Sequence, residues 1–290
     1  MACFHPIKGY KDGNGGLTFV KTGVVMTVPC GQCIGCRLEY SRRWAMRCLH
    51  EASLHVDNCF LTLTYADEHL PAYGSLDKRA FPKFMKRLRK RSGARIRYYH
   101  CGEYGEESGR PHYHALLFGF NFRDRVQCNI RNGIPVHRSQ FLEELWPFGL
   151  SEIGTVTFES AAYCARYVVK KVTGERAKEH YSRVDPVTGE VVQIQPEYAT
   201  MSRNPGIGAM WFGKFGKETY RDDTVVSRGR ELKPPRYYDT LVERENPELL
   251  ARVRSARRDK RNLREETANR LSTREACAHA RGSLQKRRVC

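Results

Sequence analysis

The segment Pro111-His112-Tyr113-His114-Ala115-Leu116-Leu117-Phe118 sets two histidines two residues apart on an apolar stretch. In an extended chain both imidazoles project from one face, which is how a strand offers two nitrogen ligands to one cation. Leu116 and Phe118 continue that face, so the pair sits where a sheet begins to be covered. A single histidine there would read as a satisfied buried side chain; two in register, with carboxylates close by, point to a metal. Glu103, Glu106 and Glu107 lie just upstream. If the intervening turn folds the preceding strand alongside, Glu103 is the best third ligand, because it closes that strand near the histidines. Two imidazoles and one carboxylate leave positions open for water and a phosphate oxygen.

A second constellation lies on the helical stretch Ala161–Val172. At about 100° per residue, Ala161, Ala165, Val168 and Val172 fall on one side. Tyr163, Tyr167 and Lys170 fall on the opposite side, flanked by Arg166 and Lys171. Tyrosines used for packing would share the apolar stripe; these share the basic face, the arrangement needed for hydroxyls meeting a phosphodiester. The third constellation is Cys30-Gly31-Gln32-Cys33-Ile34-Gly35-Cys36, two consecutive C-x-x-C spacings in a glycine-rich loop. It suits tetrahedral zinc, with Cys3 or Cys48 as the fourth thiolate; an iron–sulfur cluster is the alternative.

The elements that must position these groups follow from periodicity. Helical spacing of Leu38, Ala45, Leu49 and Ala52 predicts a helix from Arg37 to about His55. Asn58–Tyr65 alternates, with Phe60, Thr62 and Thr64 on one face and Leu61, Leu63 and Tyr65 on the other, as in a strand. Asp77 is placed to cap a helix to about Arg91, whose stripe is Phe81, Phe84, Met85 and Leu88. The lysines and arginines around that stripe read either as a solvated face or as phosphate contacts. Ile96–Gly102, Tyr113–Phe120 and Ser151–Phe158 are further strands, and Ser160 is the expected cap of the tyrosine helix, which stops at Thr173-Gly174. The turn between the two central strands is too short for a parallel crossover, so they pair antiparallel. Strands interleaved with helices around such a pair give an α+β fold with an antiparallel sheet. Three regions are expected: a Cys-rich segment 1–36 with a candidate zinc site, a central domain 37–227 with an insertion at about 175–200, and a basic, largely helical tail 228–290. Within the tail, Asn246-Pro247 reads as a cap and first position, Ser272 with Glu275 as a capping box, and Gly282 as a stop.

The chain has 290 residues, 50 Lys+Arg and 32 Asp+Glu, a formal net charge of +18. Residues 228–290 hold 18 Lys/Arg against 9 Asp/Glu, so half the excess charge sits in the tail. A charge this large points first to nucleic acid as partner and only second to an anionic membrane. With 40% hydrophobic and 11% aromatic residues the chain has material for a core, which excludes wholesale disorder. No apolar run approaches the ~20 residues of a membrane span, and Met1–Tyr10 lacks a signal-peptide stretch, so a cytosolic location is expected. Eleven cysteines in a reducing compartment suggest metal binding or free thiols rather than disulfides.

Three stretches resemble, in order, the three motifs of HUH endonucleases that initiate rolling-circle replication. They are Phe60-Leu61-Thr62-Leu63-Thr64-Tyr65, then Gly109-Arg110-Pro111-His112-Tyr113-His114, then the Tyr-x-x-x-Tyr-x-x-Lys spacing of Tyr163, Tyr167 and Lys170. The tyrosine pair is similar to the two-tyrosine branch. With the Cys-rich start and Pro234-Pro235-Arg236-Tyr237-Tyr238, the chain resembles the replication initiators of gokushovirus-like microviruses, small single-stranded DNA phages. The resemblance implies an HUH/RRM-like central antiparallel sheet with the histidines on a central strand. It implies Mg²⁺ or Mn²⁺ on His112, His114 and Glu103, with Glu106 or Glu107 as substitutes for the carboxylate. It further implies nicking of single-stranded DNA at a viral origin, a 5′-phosphotyrosyl intermediate, a host helicase and DNA polymerase as partners, no membrane, and the cytoplasm of a bacterial host. Tyr113 stands where the family often has a bulky aliphatic residue. The rival readings are a transposase or relaxase of the same superfamily, and a non-enzymatic zinc-containing single-stranded nucleic-acid-binding protein.

Overall fold

A computed structural model describes residues 3–286 apart from 14, 15, 22, 106, 107, 132 and 173; the side chains of 167–170 and 284–286 also lie outside the description. The chain divides into two compact units, Met1–Arg42 with Glu245–Cys290, and Arg43–Arg244. The first begins with a small antiparallel sheet of β1 (Ile7–Lys11), β2 (Leu17–Thr18) and β3 (Val25–Val28), in the order β2-β1-β3. Helix α1 (Ile34–Ala52) follows, starting three residues before the sequence pattern suggests.

The second unit is built on a seven-stranded antiparallel sheet. Its strands are β4 (Asn58–Thr64), β5 (Arg97–Tyr104), β6 (Pro111–Phe118), β7 (Val126–Arg131), β8 (Ile134–Arg138) and β9 (Ser151–Gly154). A seventh, β12 (Tyr198–Met201), follows the short hairpin β10 (Ser182–Val184) and β11 (Val191–Gln193). The order is β12-β5-β6-β4-β9-β8-β7, so β4 and β6 are central. The alternation read in Asn58–Tyr65 is real: Cys59, Leu61 and Leu63 are fully buried on one face, while Phe60, Thr62 and Thr64 turn to the other. The last part of 175–200 thus contributes an edge strand, with Tyr198 opposite Gly102.

Helices cover both faces. Against Leu61, Leu63, Tyr113, Ala115 and Leu117 pack α2 (Ala80–Ser92) and α3 (Gln140–Leu145) with Trp146. The α2 stripe Phe81, Phe84, Met85 and Leu88 is buried as its spacing requires, and each such side chain contributes roughly 1.5–3 kcal/mol relative to exposure. Helix α2 starts at Ala80 rather than at an Asp77 cap; the Asp77 carboxylate accepts the Arg79 N–H at 2.7 Å instead. Two of its basic residues serve packing, Arg87 donating to the Leu145 carbonyl and Arg91 to Glu144. The opposite face, with Tyr99, Cys101, Leu116 and Phe118, is covered by Ala45 and Cys48 of α1 and by Ala161, Cys164 and Ala165 of α4 (Phe158–Lys170).

The expected strand Ser151–Phe158 ends at Gly154, because Thr157 rather than Ser160 caps α4. The Thr157 hydroxyl accepts the Ser160 N–H at 3.1 Å and the Ser160 hydroxyl accepts the Thr157 N–H at 2.8 Å. That reciprocal box moves the helix start three residues earlier and makes Ser160 its third residue. The helix ends at Lys170; of the expected Thr173-Gly174 stop, Thr173 lies outside the described residues. Beyond it lie α5 (Arg176–His180), α6 (Ala209–Asp222), the hairpin β13 (Val225–Ser227) and β14 (Arg230–Leu232), and α7 (Arg236–Glu245). In the first unit α8 (Pro247–Asp259) begins where expected, the Asn246 side chain accepting the Leu249 N–H at 2.9 Å. The tail helix α9 (Ala268–Lys286) runs through both Ser272 and Gly282, so neither the expected capping box nor the stop is used. Alanines on both sides hold the helical conformation against the ~1 kcal/mol that one interior glycine costs.

One close approach fixes the end of β4. The Trp146 indole donates to the Thr64 carbonyl at 2.8 Å. A Cβ at Gly149 would lie 2.4 Å from the Ala66 nitrogen and 2.5 Å from the Thr64 oxygen, both backbone atoms that cannot swing aside. Gly149→Ala is expected to destabilise the protein by about 2 kcal/mol or more, read as a lowered midpoint in chemical denaturation.

Candidate functional site

The β5–β6 register decides what meets what. Glu103 stands directly opposite His112, and Cys101 opposite His114. On the other side of β6, Thr64 faces His112 and Thr62 faces His114. Both histidines share the face that continues into Leu116 and Phe118, as their spacing predicts. Their polar group closes the end of an apolar face covered by α4.

Glu103 and His114 are 1% and 4% exposed, and Glu103 Oε1 lies 2.6 Å from His114 Nε2. The Tyr163 hydroxyl donates to the same Glu103 oxygen at 3.2 Å. The Tyr163 ring stands edge-on to His114, with centroids 4.9 Å apart and planes at 89°, and His114 stacks on Phe60 at 5.6 Å. Tyr163 is therefore half-buried against the sheet rather than on a face turned away from the Ala161/Ala165 stripe. The correction has a geometric cause: a residue flanking the buried stripe reaches the sheet where the sheet itself carries polar partners. Glu106, Glu107 and the side chains of Tyr167 and Lys170 lie outside the described residues.

Thr62 is the member of the group that sequence reasoning passed over. Its hydroxyl lies 3.1 Å from His114 Nδ1. A hydroxyl both donates and accepts, so it satisfies Nδ1 in either tautomer. When Nε2 binds a cation, the ring proton resides on Nδ1 and Thr62 accepts it, fixing the ring's orientation. The available signal was its place on the Phe60/Thr62/Thr64 face, the face the histidines were expected to share.

The donor set suits a divalent cation. Glu103 Oε2 and His112 Nδ1 are buried with no hydrogen-bond partner among the described residues, while His114 Nε2 and Glu103 Oε1 already converge on each other. A tighter group of ligand atoms lies elsewhere. Among the described residues, those of Cys3, Cys30, Cys33 and Cys36 all fall within 4.8 Å of one another.

The cysteine cluster selects Cys3, not Cys48, as its fourth member; Cys48 is buried beside Tyr99 and Cys164 in the sheet core. Cys3 and Cys30 sulfurs are 3.6 Å apart, and Cys3 and Cys33 sulfurs 4.0 Å. Four ligands at the usual Zn–S length of ~2.3 Å on a tetrahedron stand ~3.8 Å apart, so the cluster could hold a metal such as zinc. Backbone N–H groups already point at the sulfurs, from Phe4 to Cys33 at 3.3 Å and from Cys30 to Cys3 at 3.2 Å. Burial pushes the Cys33 thiol up, but the Phe4 and Cys36 amides and the Cys30 and Cys36 side chains outweigh it and bring it to about 6. Burial raises Cys3 and Cys36.

An antiparallel sheet that presents two histidines and a carboxylate to a tyrosine-bearing helix defines a class, and sequence comparison identifies it. Residues 58–172 match the family model of the ORF2-type replication-associated proteins. The chain is 32% identical over 262 residues to the replication-associated protein VP4 of Bdellovibrio phage phiMH2K, covering 86% of this chain and 79% of that protein. It is 32% identical over 279 residues to the replication-associated protein ORF2 of Spiroplasma virus 4, covering 84% and 81%. Similarity to the replication-associated protein ORF4 of Chlamydia phage 1 is 30% over 228 residues, 74% of this chain and 53% of that one. No solved structure matches the chain. The chain belongs to the VP4/ORF2 replication-associated proteins of microvirus-type phages. No helix among the described residues is long and apolar enough to cross a membrane.

Two outcomes follow. Thr62→Val is expected to weaken Mn²⁺ binding about tenfold or more with Thr62→Ser near normal, measured by titration of the free ion signal in electron paramagnetic resonance. Purified protein is expected to carry about one zinc per chain, and Cys36→Ser to lose it, as read by elemental analysis; because the thiols must shed protons to bind, affinity falls as pH falls.

Proposed function

We propose that the chain nicks single-stranded DNA at a viral origin through a tyrosine nucleophile. In this reading the second unit's sheet is an HUH/RRM-like core, the endonuclease domain spans 37–227, and the Cys-rich segment 1–36 and basic tail 228–290 are its appendages. The observation that carries the reading is the Tyr163 hydroxyl on the Glu103 carboxylate, which pairs with His114 and stands opposite His112. A nucleophile and a metal-ligating donor set meet at one point, in a family of replication-associated proteins whose work implies contact with DNA.

A tyrosine hydroxyl has a pKa of about 10 and is a poor nucleophile at neutral pH. Glu103 lies within reach of the phenolic proton, and the cationic groups of Lys170 and Arg166 on the same helix favour the phenolate. The phenolate oxygen forms a bond to phosphorus, the P–O3′ bond breaks, and the freed 3′-OH primes a polymerase. The 5′ end stays on the tyrosine, so the phosphodiester energy is retained and rejoining needs no ATP. Mg²⁺ or Mn²⁺ held by His112, His114 and Glu103 supplies charge to the transferring phosphate. Rolling-circle replication needs one cut to start and one to release a unit length. Tyr163 and Tyr167 are four residues apart, about 6 Å along a helix axis at ~1.5 Å per residue, which suits alternating use. A host helicase and polymerase would act with the chain in the bacterial cytoplasm.

Incubation with the phage's own single-stranded DNA and Mn²⁺, followed by mass spectrometry, tests this directly. The expected product is a DNA adduct on Tyr163 or Tyr167, abolished by EDTA and by His112→Ala or His114→Ala while DNA binding persists. Each single Tyr→Phe variant is expected to nick an oligonucleotide but fail in repeated circle release, and the double variant to form no adduct. Binding without any adduct would return the chain to a nucleic-acid-binding role.

A further inference from the structure

The tail of the first unit carries a cavity that the nicking chemistry does not use. It has a volume of about 430 Å³ and is lined by Phe4, Glu265, Arg270, Arg274, Cys277 and Arg281, with Thr273 and Ala278 between them. Arg270, Arg274, Cys277 and Arg281 recur at helical spacing on one face of α9. The segment that brings Phe4 there is fixed at two points. Its amide donates to the Cys33 sulfur at 3.3 Å, and the neighbouring His5 imidazole meets the Glu275 carboxylate at 2.7 Å. The Glu265 carboxylate accepts both bonds of the Arg270 guanidinium, at 2.9 Å each, and its backbone oxygen takes one from Arg274 at 3.3 Å. Arg270 is thus neutralised locally, while Arg274 and Arg281 leave the lining with excess positive charge.

An aromatic ring beside two guanidiniums, in a hollow of a few hundred Å³, matches one base with its flanking phosphates. A plain basic helix face would hold duplex phosphates without needing a ring or a hollow, and an acidic peptide would leave the ring unused. We propose that this cavity takes one nucleotide unit of single-stranded DNA, the base against Phe4 and the adjoining phosphates on Arg274 and Arg281. The proposal rests on the reading that the chain acts on single-stranded DNA. It makes the cysteine loop part of a DNA-holding site, since the loop's sulfur anchors the amide of the stacking residue.

The full-length protein carries its own probe. Cys277 is exposed and lines the cavity, while Cys128 on β7 is exposed elsewhere and serves as control. Alkylation of both thiols by iodoacetamide is followed by peptide mass spectrometry, with and without an oligothymidylate. The expected result is protection of Cys277 with Cys128 unchanged. Phe4→Leu, which keeps an apolar side chain under the cysteine loop, should raise the oligonucleotide concentration for half-protection about tenfold, as loss of one stacked base does; Arg274→Gln should raise it as well. Full alkylation of Cys277 at oligonucleotide levels that saturate binding overturns the proposal. So does equal protection by inorganic phosphate or by duplex DNA, or indifference to Phe4→Leu. The tyrosine adduct is a separate readout: its absence with Cys277 protected counts against nicking and not against this site, and its presence with Cys277 unprotected does the reverse.

Discussion

The pairing register of β5 and β6 is the constraint on which the site depends. Glu103 opposite His112 puts the carboxylate on the histidine face, one step along from His114. A slip of one residue would carry every side chain of a strand to the opposite face. Both faces oppose such a slip, since Leu116 and Phe118 are buried on one and Tyr113, Ala115 and Leu117 on the other. The turn supports the same register, with the Gly105 N–H on the Arg110 carbonyl at 2.9 Å and Gly109 at φ +62°, a conformation glycine adopts without strain.

Placing an ionisable pair inside that packed end costs solvation, and removing one partner of such a pair costs about 3–5 kcal/mol. The surroundings offset the cost with directed hydrogen bonds, Tyr163 onto Glu103 and Thr62 beside His114. The groups that satisfy buried charge are thus the same groups that would orient a metal and a nucleophile. Stability and chemistry make one demand on these positions, and the rigid β-strands hold three of them while a helix brings the fourth.

Tyr113, between the two histidines, shows how the other face is settled. Its hydroxyl lies 3.3 Å from that of Tyr65, donates to the Asp77 carbonyl at 2.9 Å and accepts the Asp77 N–H at 2.9 Å. Burial raises its pKa well above the ordinary tyrosine range. A tyrosine replaces an aliphatic residue here because the loop before α2 supplies partners for the hydroxyl. The basic residues of α2 lie on this same side of the sheet, away from the histidine face. The charge on that helix therefore does not surround the histidine–tyrosine group.

Much was legible from residue types and short-range spacing. The period-two pattern of β4, the His112/His114 pair, the antiparallel hairpin that aligns Glu103, the α2 stripe and the Asn246 cap all depend on interactions within a few residues. Local geometry alone imposes them. The C-x-x-C loop likewise announced a metal-holding cluster. The choice of Cys3 over Cys48, the contact of Tyr163 with Glu103, the role of Thr62 and the recruitment of Tyr198–Met201 as an edge strand were decided by the tertiary structure. Each depends on which segments distant in sequence come together, and neither cysteine spacing nor helical periodicity encodes that. Capping boxes mark the boundary between the two kinds of information. Thr157 and Ser160 both offered a cap to α4, and only the packed position of that helix chose between them.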